Sequence, residues 1–241
     1  MKKLVISMFI VLCAVTFVNA QDFKPSSGLT MEVNFLPANT TTPISINELK
    51  GRYFFNERMA LRLGLLINMA NHTWDNQYGV GGTAPIVVEE YKNKYFVFGI
   101  TPGFELHVGD MERFSPYFGA ELGLRFASSS ASITNYGGTS GDKIELSGAN
   151  IASIAGTTIN YNNIGATTIS FNLLTGFDFY ISKHLYMGAE IGLGFSSISN
   201  KDIELTRTIA GVSTTVTDPL GDKFTNLGVV FNPAIRLGWA F

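Results

Sequence analysis

The sequence predicts an all-β protein built from eight antiparallel strands that follow one another up and down. In eight segments, apolar residues alternate with small or polar residues, which is the two-residue period of a strand with two different faces. Almost no stretch shows the period of an amphipathic helix. The connections alternate between short turns and long polar loops, as expected when each strand reverses the direction of the one before it.

Each alternating segment is close to the roughly 9 to 11 residues that a tilted membrane strand needs. In chain order, the apolar positions lie in residues 29–35, 49–55, 59–69, 96–108, 118–126, 171–181, 185–195 and 227–241. Short turns are predicted at residues 56–58, 109–115 and 182–184. Loops rich in Gly, Ser, Thr and Asn are predicted at residues 37–43, 71–85, 128–165 and 200–222.

The first twenty residues have the pattern of a secretory signal peptide. Lys2 and Lys3 precede an apolar run, and the small residue Ala20 ends a plausible cleavage site. We therefore expect residues 1–20 to be removed and residues 21–241 to form a single domain. The only cysteine, Cys13, lies in the part expected to be removed, so the domain has no disulfide.

The composition points to a membrane protein that crosses the bilayer with strands. Charged residues make up 15% of the chain, whereas soluble domains carry about 25%. Beyond the signal region, no apolar run approaches the roughly 18 residues of a membrane helix. Tilted strands, short turns on one side and long loops on the other are typical of bacterial outer-membrane barrels, whose short turns are periplasmic and whose loops are extracellular.

Aromatic residues gather near the predicted short turns, where a girdle at the membrane interface would lie. These residues are Tyr53, Phe54, Phe55, Phe114, Tyr117, Phe179, Tyr180, Tyr186, Trp239 and Phe241. With the signal peptide and the eight alternating segments, the ending Trp239-Ala240-Phe241 resembles the small bacterial outer-membrane β-barrel proteins of the OmpX and OmpA-barrel type, over essentially the whole mature chain. The resemblance implies that Trp239 and Phe241 form the signal that the barrel assembly machinery reads.

If the apolar faces meet lipid, the opposite faces enclose most of the strand charges. This predicted interior network consists of Glu32, Glu48, Lys50, Arg52, Arg62, Glu105, Glu121, Arg125, Asp178, Glu190 and Arg236, with His107 on the same face. Four of the five bases are arginine, whose planar fork pairs two-fold with carboxylates. Because side chains can fill an eight-stranded barrel, the sequence predicts a closed, charge-paired interior rather than an open pore.

The sequence does not predict an enzyme, a metal site or a cofactor. The three histidines, His72, His107 and His184, share no ligand spacing, and no nucleophile at a family spacing accompanies His72 in its predicted external position. No phosphate loop, nucleotide fingerprint or calcium loop is present. A slightly negative net charge of −2 without a basic cluster makes nucleic acid an unsuitable partner.

The predicted external loops are the remaining candidates for a specific activity. Residues 128–165 contain enough alternation for a hairpin above the membrane, and residues 86–91 can extend the fourth strand beyond the lipid. An exposed strand edge can recruit an extended partner. The expected function is therefore structural, or surface binding and adhesion through these loops, with outer-membrane lipids as neighbours and an extracellular ligand or protein as partner.

Two other functions fit the same alternation. A small passive pore for ions or small solutes would have the same faces with an open interior. A secreted, lipocalin-like barrel that binds lipid would have the faces inverted, with the charges outside. Inversion is disfavoured because seven of the eight mature lysines, all except Lys50, lie outside the eight alternating segments.

Overall fold

A computed structural model describes residues 24–37, 44–79, 85–109, 111–155, 158–219 and 221–241. The predicted signal peptide, residues 1–20, lies outside the described residues. In the described part of the chain the regular structure is almost entirely β, and the sheet pairings are antiparallel. The predicted all-β antiparallel class is therefore confirmed.

Thirteen strands and one 3-10 turn make up this part of the chain. The strands are β1 (Gly28–Pro37), β2 (Ile44–Asn56), β3 (Met59–Tyr78), β4 (Val87–His107), β5 (Phe114–Thr134), β6 (Lys143–Ser147), β7 (Asn150–Ala155), β8 (Thr158–Asn162), β9 (Ala166–Tyr180), β10 (Leu185–Asn200), β11 (Ile203–Ile209), β12 (Val212–Asp218) and β13 (Lys223–Ala240). The 3-10 turn covers Tyr136–Gly138 and lies between β5 and β6.

Strand pairing closes into a ring. The order of neighbours is β1, β2, β3, β4, β5, β9, β10 and β13, and β13 pairs again with β1. In this ring β2 stands opposite β9, and β3 stands opposite β10, because four steps separate the members of each pair. The three predicted short turns, between β2 and β3, between β4 and β5 and between β9 and β10, lie at the end of the ring where β1 begins and β13 ends.

The predicted number of eight strands is wrong, because five further strands form in segments that were predicted as loops. β6, β7 and β8 lie within residues 128–165, where the alternation predicts a hairpin and β7 and β8 form one, and β11 and β12 lie within residues 200–222. The β11–β12 hairpin turns at Ala210 and Gly211, which both have positive φ angles, 51° and 79°. Two such residues form the tight turn that matches strand twist, but Ala-Gly is a weaker signal for it than Asn-Gly.

The strands next to these loops are also longer than predicted. β3 continues to Tyr78 and β5 continues to Thr134. Beyond the ring, β5 pairs with β6, β6 with β11 and β11 with β12. We call β6, β11 and β12, with the adjoining ends of β3, β4 and β5, the external sheet.

The molecule has two cores of opposite character. Inside the ring the buried side chains are mainly charged and aromatic. The external sheet instead encloses an apolar core, formed by Ala131, Ile133, Ile144, Leu146, Ala149, Ile151 and Ile203. The β7–β8 hairpin packs on this core, and the Asn93 side chain donates a hydrogen bond to the Ile151 carbonyl at 2.8 Å.

Candidate functional site

The outer face of the ring is apolar and exposed. On β3 this face runs from Met59 through Leu61, Leu63, Leu65 and Ile67 to Met69, all of them exposed. The opposite face of the same stretch buries Ala60 and Arg62. Exposed apolar side chains in a continuous belt with buried charges behind them are suited to lipid on the outside. The inverted, lipocalin-like arrangement would need the reverse.

Ion pairs cross the whole width of the ring. Arg52 on β2 reaches Asp178 on β9, with Nη1 2.7 Å from Oδ2. Arg62 on β3 reaches Glu190 on β10, with Nη1 2.8 Å from Oε2. Both pairs join opposite strands, and all four side chains are almost fully buried. Their atoms occupy the cross-section that a channel at this height would need.

The other members of the network link these two pairs. Glu105 accepts from Arg52 at 3.0 Å and from Arg62 at 2.8 Å. Arg236 lies 2.7 Å from Asp178 and 3.4 Å from Glu32. At the end of the network away from the short turns, here called the upper end, Lys50 lies 3.4 Å from Glu48 and 4.0 Å from Glu121. The structure therefore brings together ten of the eleven residues that the sequence assigns to the interior network.

Arg125 is the exception and corrects that assignment. It lies on the inward face of β5 but is exposed, and among the described residues it forms no ion pair. Its rung partners are Gly99 on β4 and Thr168 on β9, so neither neighbouring strand places an acid beside it. The alternation predicts the face of Arg125 correctly, but it contains no information about its height.

Aromatic side chains complete the interior, and the sequence assigned them to the wrong place. Phe54, Tyr117, Tyr180 and Tyr186 are buried inside the ring rather than exposed in a girdle. The Tyr117 hydroxyl donates to Glu190 at 2.6 Å, and the Tyr186 hydroxyl donates to Glu32 at 3.1 Å. The Arg52 guanidinium lies 4.8 Å from the Tyr186 ring centroid. Their inward phase on each strand was the signal that could have identified them.

Ser115, His107 and Glu105 form a chain of contacts similar to the triads of hydrolases. His107 Nδ1 lies 2.9 Å from Ser115 Oγ, and His107 Nε2 lies 3.2 Å from Glu105 Oε2. However, Ser115 is only 2% exposed, and Glu105 also contacts two arginines. A nucleophile without access to solvent cannot meet a substrate, so this contact chain is part of the packed interior.

Comparison with known protein families identifies the family to which this chain belongs. A family model for OmpA-OmpF-like porins matches residues 34–241. The chain belongs to the OmpA-OmpF-like porin family. It is accordingly an outer-membrane β-barrel protein, and the resemblance seen in the sequence is confirmed. A search of curated proteins finds no match.

No helix in the part of this porin-family chain that the structure describes is long and apolar enough to cross a membrane. Within the same residues, no group of three or more His, Cys, Asp or Glu side chains is arranged to hold a metal ion.

The last strand of the porin-family chain places Trp239 and Phe241 on the exposed outer face. The Trp239 ring stacks on His184, with centroids 5.4 Å apart, and the Phe241 amide donates to the Leu29 carbonyl at 3.0 Å. The end of β13 is thus held by β1 on one side and by the turn before β10 on the other. Recognition of these two aromatic residues by the assembly machinery stays a prediction.

A second polar cluster holds the external part of this porin-family chain together. Glu89 is buried, and it accepts hydrogen bonds from the hydroxyls of Tyr78 at 3.1 Å and Tyr91 at 2.9 Å. The Gly137 amide donates to the same carboxylate at 2.7 Å, which ties the 3-10 turn to β4. Partial burial, followed by the hydrogen bond to Glu89, raises the pKa of Tyr91 to about 12. The phenol therefore remains a donor at neutral pH.

Proposed function

We propose that this protein is an integral outer-membrane barrel of eight membrane strands with a sealed interior, and that it acts at the cell surface through its external sheet. The proposal assigns the ring to the bilayer, the short turns to the periplasm and the external sheet to the outside of the cell. It assigns no enzymatic activity and no cofactor. It further assigns outer-membrane lipids as neighbours and the barrel assembly machinery as the partner of Trp239 and Phe241.

The observation that carries the proposal is the pair of ion bridges across the ring. Arg52 with Asp178 and Arg62 with Glu190 each join strands on opposite sides. Buried charges of this kind are held by several partners at once, so opening one bridge leaves the other groups in place. A small passive pore is therefore disfavoured, although both functions use the same ring.

The external sheet supplies the surface for a binding or adhesive role. It has its own apolar core, so it is an ordered platform rather than a set of solvated loops. Its last strand, β12, pairs with β11 and, among the described residues, with no further strand. All seven residues of β12 are exposed, and its free edge offers backbone groups to an extended polypeptide.

Cysteine labelling on intact cells tests the orientation. Because Cys13 is the only cysteine, Thr215→Cys in β12 and Ser182→Cys in a short turn each give a mature chain with a single thiol. A maleimide that cannot cross the outer membrane should label Thr215→Cys on intact cells. It should label Ser182→Cys only after the membrane is permeabilised. The reverse pattern, or equal labelling of both variants, contradicts the proposed orientation.

Planar-bilayer recording tests the sealed interior. The wild-type protein should give no stepwise conductance, whereas a variant with alanine in place of Arg52, Arg62, Asp178 and Glu190 should open a passage, because it removes both bridges across the ring. A gel comparison of heated and unheated samples shows whether each protein is folded before it is recorded. Regular conductance steps from folded wild-type protein would contradict the sealed barrel and support the pore.

A further inference from the structure

The outer faces of β3, β4 and β5 change from apolar to polar at the same height. At each height one residue from each strand lies beside its paired neighbours, and such a set is called a rung here. One rung joins Ile67, Phe98 and Phe126, which are all apolar. The next outward-facing rung joins Met69, Phe96 and Ser128, and the one above it joins Asn71, Lys94 and Ser130. Within two rungs the outer face passes from hydrocarbon side chains to an amine, an amide and hydroxyls.

A depression of about 410 Å³ lies at this change of polarity. Its lower side is formed by Met69 and Phe96, and Met69 is 70% exposed, among the highest values for an apolar side chain here. Its upper side is formed by Lys94, with Asn71, Ser128 and Ser130 around it. The depression is therefore apolar where the acyl chains of a membrane lipid would lie and polar where its headgroup would lie.

The Lys94 ammonium is the charged group of this depression, and it is available to a ligand. Lys94 is exposed, and within the described residues its ammonium makes no ion pair or hydrogen bond. Lys92, the next residue on the same face of β4, differs in this respect. Its ammonium lies 2.5 Å from the Glu90 carboxylate, so its charge is already compensated.

We propose that this depression binds the phosphate-bearing headgroup of an outer-leaflet lipid, with an acyl chain of that lipid along Met69 and Phe96. A Lys ammonium flanked by hydroxyl and amide donors matches the charge and the acceptor oxygens of a phosphate. An anionic headgroup at membrane depth also explains why an uncompensated cation stands at the upper edge of the apolar belt. The inference rests on the proposed placement of the ring in the outer membrane.

Native mass spectrometry of the purified full-length protein tests this site. The protein is released from detergent micelles after incubation with diphosphoryl lipid A, or with lipid A from which both phosphates have been removed. Wild-type protein should retain one diphosphoryl lipid A and much less of the dephosphorylated form. Lys94→Gln should reduce retention of the diphosphoryl form about tenfold, whereas Lys92→Gln should retain as much as wild type.

Three results would overturn the inference. Equal losses in the two lysine variants would indicate general surface charge, and equal retention of both lipids by wild type would indicate contact with acyl chains only. Displacement of lipid A by inorganic phosphate would indicate a site for free anions. Each of these results counts only for protein that stays in detergent micelles and whose gel migration changes on heating, because such protein is a folded membrane barrel. A chain that is soluble without detergent would instead contradict the proposed membrane function itself.

Discussion

Arg62 and Glu190 meet in a two-fold contact, with Nη1 2.8 Å from Oε2 and Nη2 3.2 Å from Oε1, although their strands stand on opposite sides of the ring. Two parallel hydrogen bonds fix the relative orientation of the groups as well as their distance. The bridge therefore acts as a cross-brace that sets the diameter of the ring at this height. Lipid on the outside cannot supply such a constraint, because it conforms to whatever shape the strands take.

Removing Arg62 should destabilise the ring strongly. In Arg62→Ala, the carboxylates of Glu105 and Glu190 lose a partner while remaining buried, which costs about 3 to 5 kcal/mol. Arg125→Ala is the matched control, because Arg125 lies on the same inner face but is exposed and forms no ion pair among the described residues. It should change stability by less than about 0.5 kcal/mol. Urea unfolding in lipid vesicles measures both, and equal effects would contradict the network.

Gly238 provides the space that Tyr186 occupies. A Cβ at this position would overlap Cζ of Tyr186, whose buried ring lies beneath Arg52 and whose hydroxyl donates to Glu32. Gly238→Ala should therefore lower the free energy of unfolding by about 1 to 3 kcal/mol through overpacking. Gly51→Ala is the control, because a Cβ there meets nothing within 4 Å. Heat-dependent gel migration compares the two, and a stable Gly238→Ala protein would show that Tyr186 can move.

Tyr91 should ionise later than an ordinary tyrosine. Its pKa is raised from 10.0 to about 12, so the folded state favours the protonated phenol. The stabilisation of the external sheet that depends on the buried, protonated phenol and its hydrogen bond to Glu89 is present in full below pH 10.0 and is lost as the pH rises through about 12. The ultraviolet difference titration between wild type and Tyr91→Phe isolates this group. A midpoint near 10 would mean that neither burial nor the hydrogen bond to Glu89 acts on the phenol.

The free edge of β12 should accept an extended peptide. A fluorescein-labelled peptide with the sequence of β11, Ile203–Ile209, is a suitable probe, because β11 already pairs with the other edge of β12. Thr214→Lys combined with Val216→Lys should abolish the rise in fluorescence anisotropy, since lysines protect strand edges from pairing. Thr214→Ser combined with Val216→Thr should bind as wild type does. Binding that survives the two lysines would place the peptide elsewhere.

The strand faces could be predicted from the sequence, because a two-residue period follows directly from strand geometry. Arg52 and Arg62 could be placed inside the ring on this basis alone. The partners of these arginines could not, because pairing across the ring depends on the order and stagger of all strands. Arg125 has the same phase, and only its height separates it from the network.

Residue type alone predicts other features wrongly, although the position of each residue on its strand predicts them correctly. As aromatic residues, Tyr117 and Tyr186 are predicted at the membrane interface, yet their positions on the strands point inward. Residues 200–222 have the Thr and Ser content of a loop, yet β11 and β12 form there. Thr and Val favour strands, and register with β6 decides in favour of pairing where composition alone is ambiguous.

The polarity of β5 reverses on both faces along its length. Its inner face carries Glu121 and, twelve residues later, the apolar Ile133, whereas its outer face passes from the apolar Leu122 to the hydroxyl of Ser130. An ordinary alternating strand can slip by two residues and keep each side chain on its proper face. Here such a slip would draw polar groups towards hydrocarbon on one side of the strand and apolar groups towards charge on the other. The reversal therefore allows β5, and the ring with it, to sit in the membrane at one depth only.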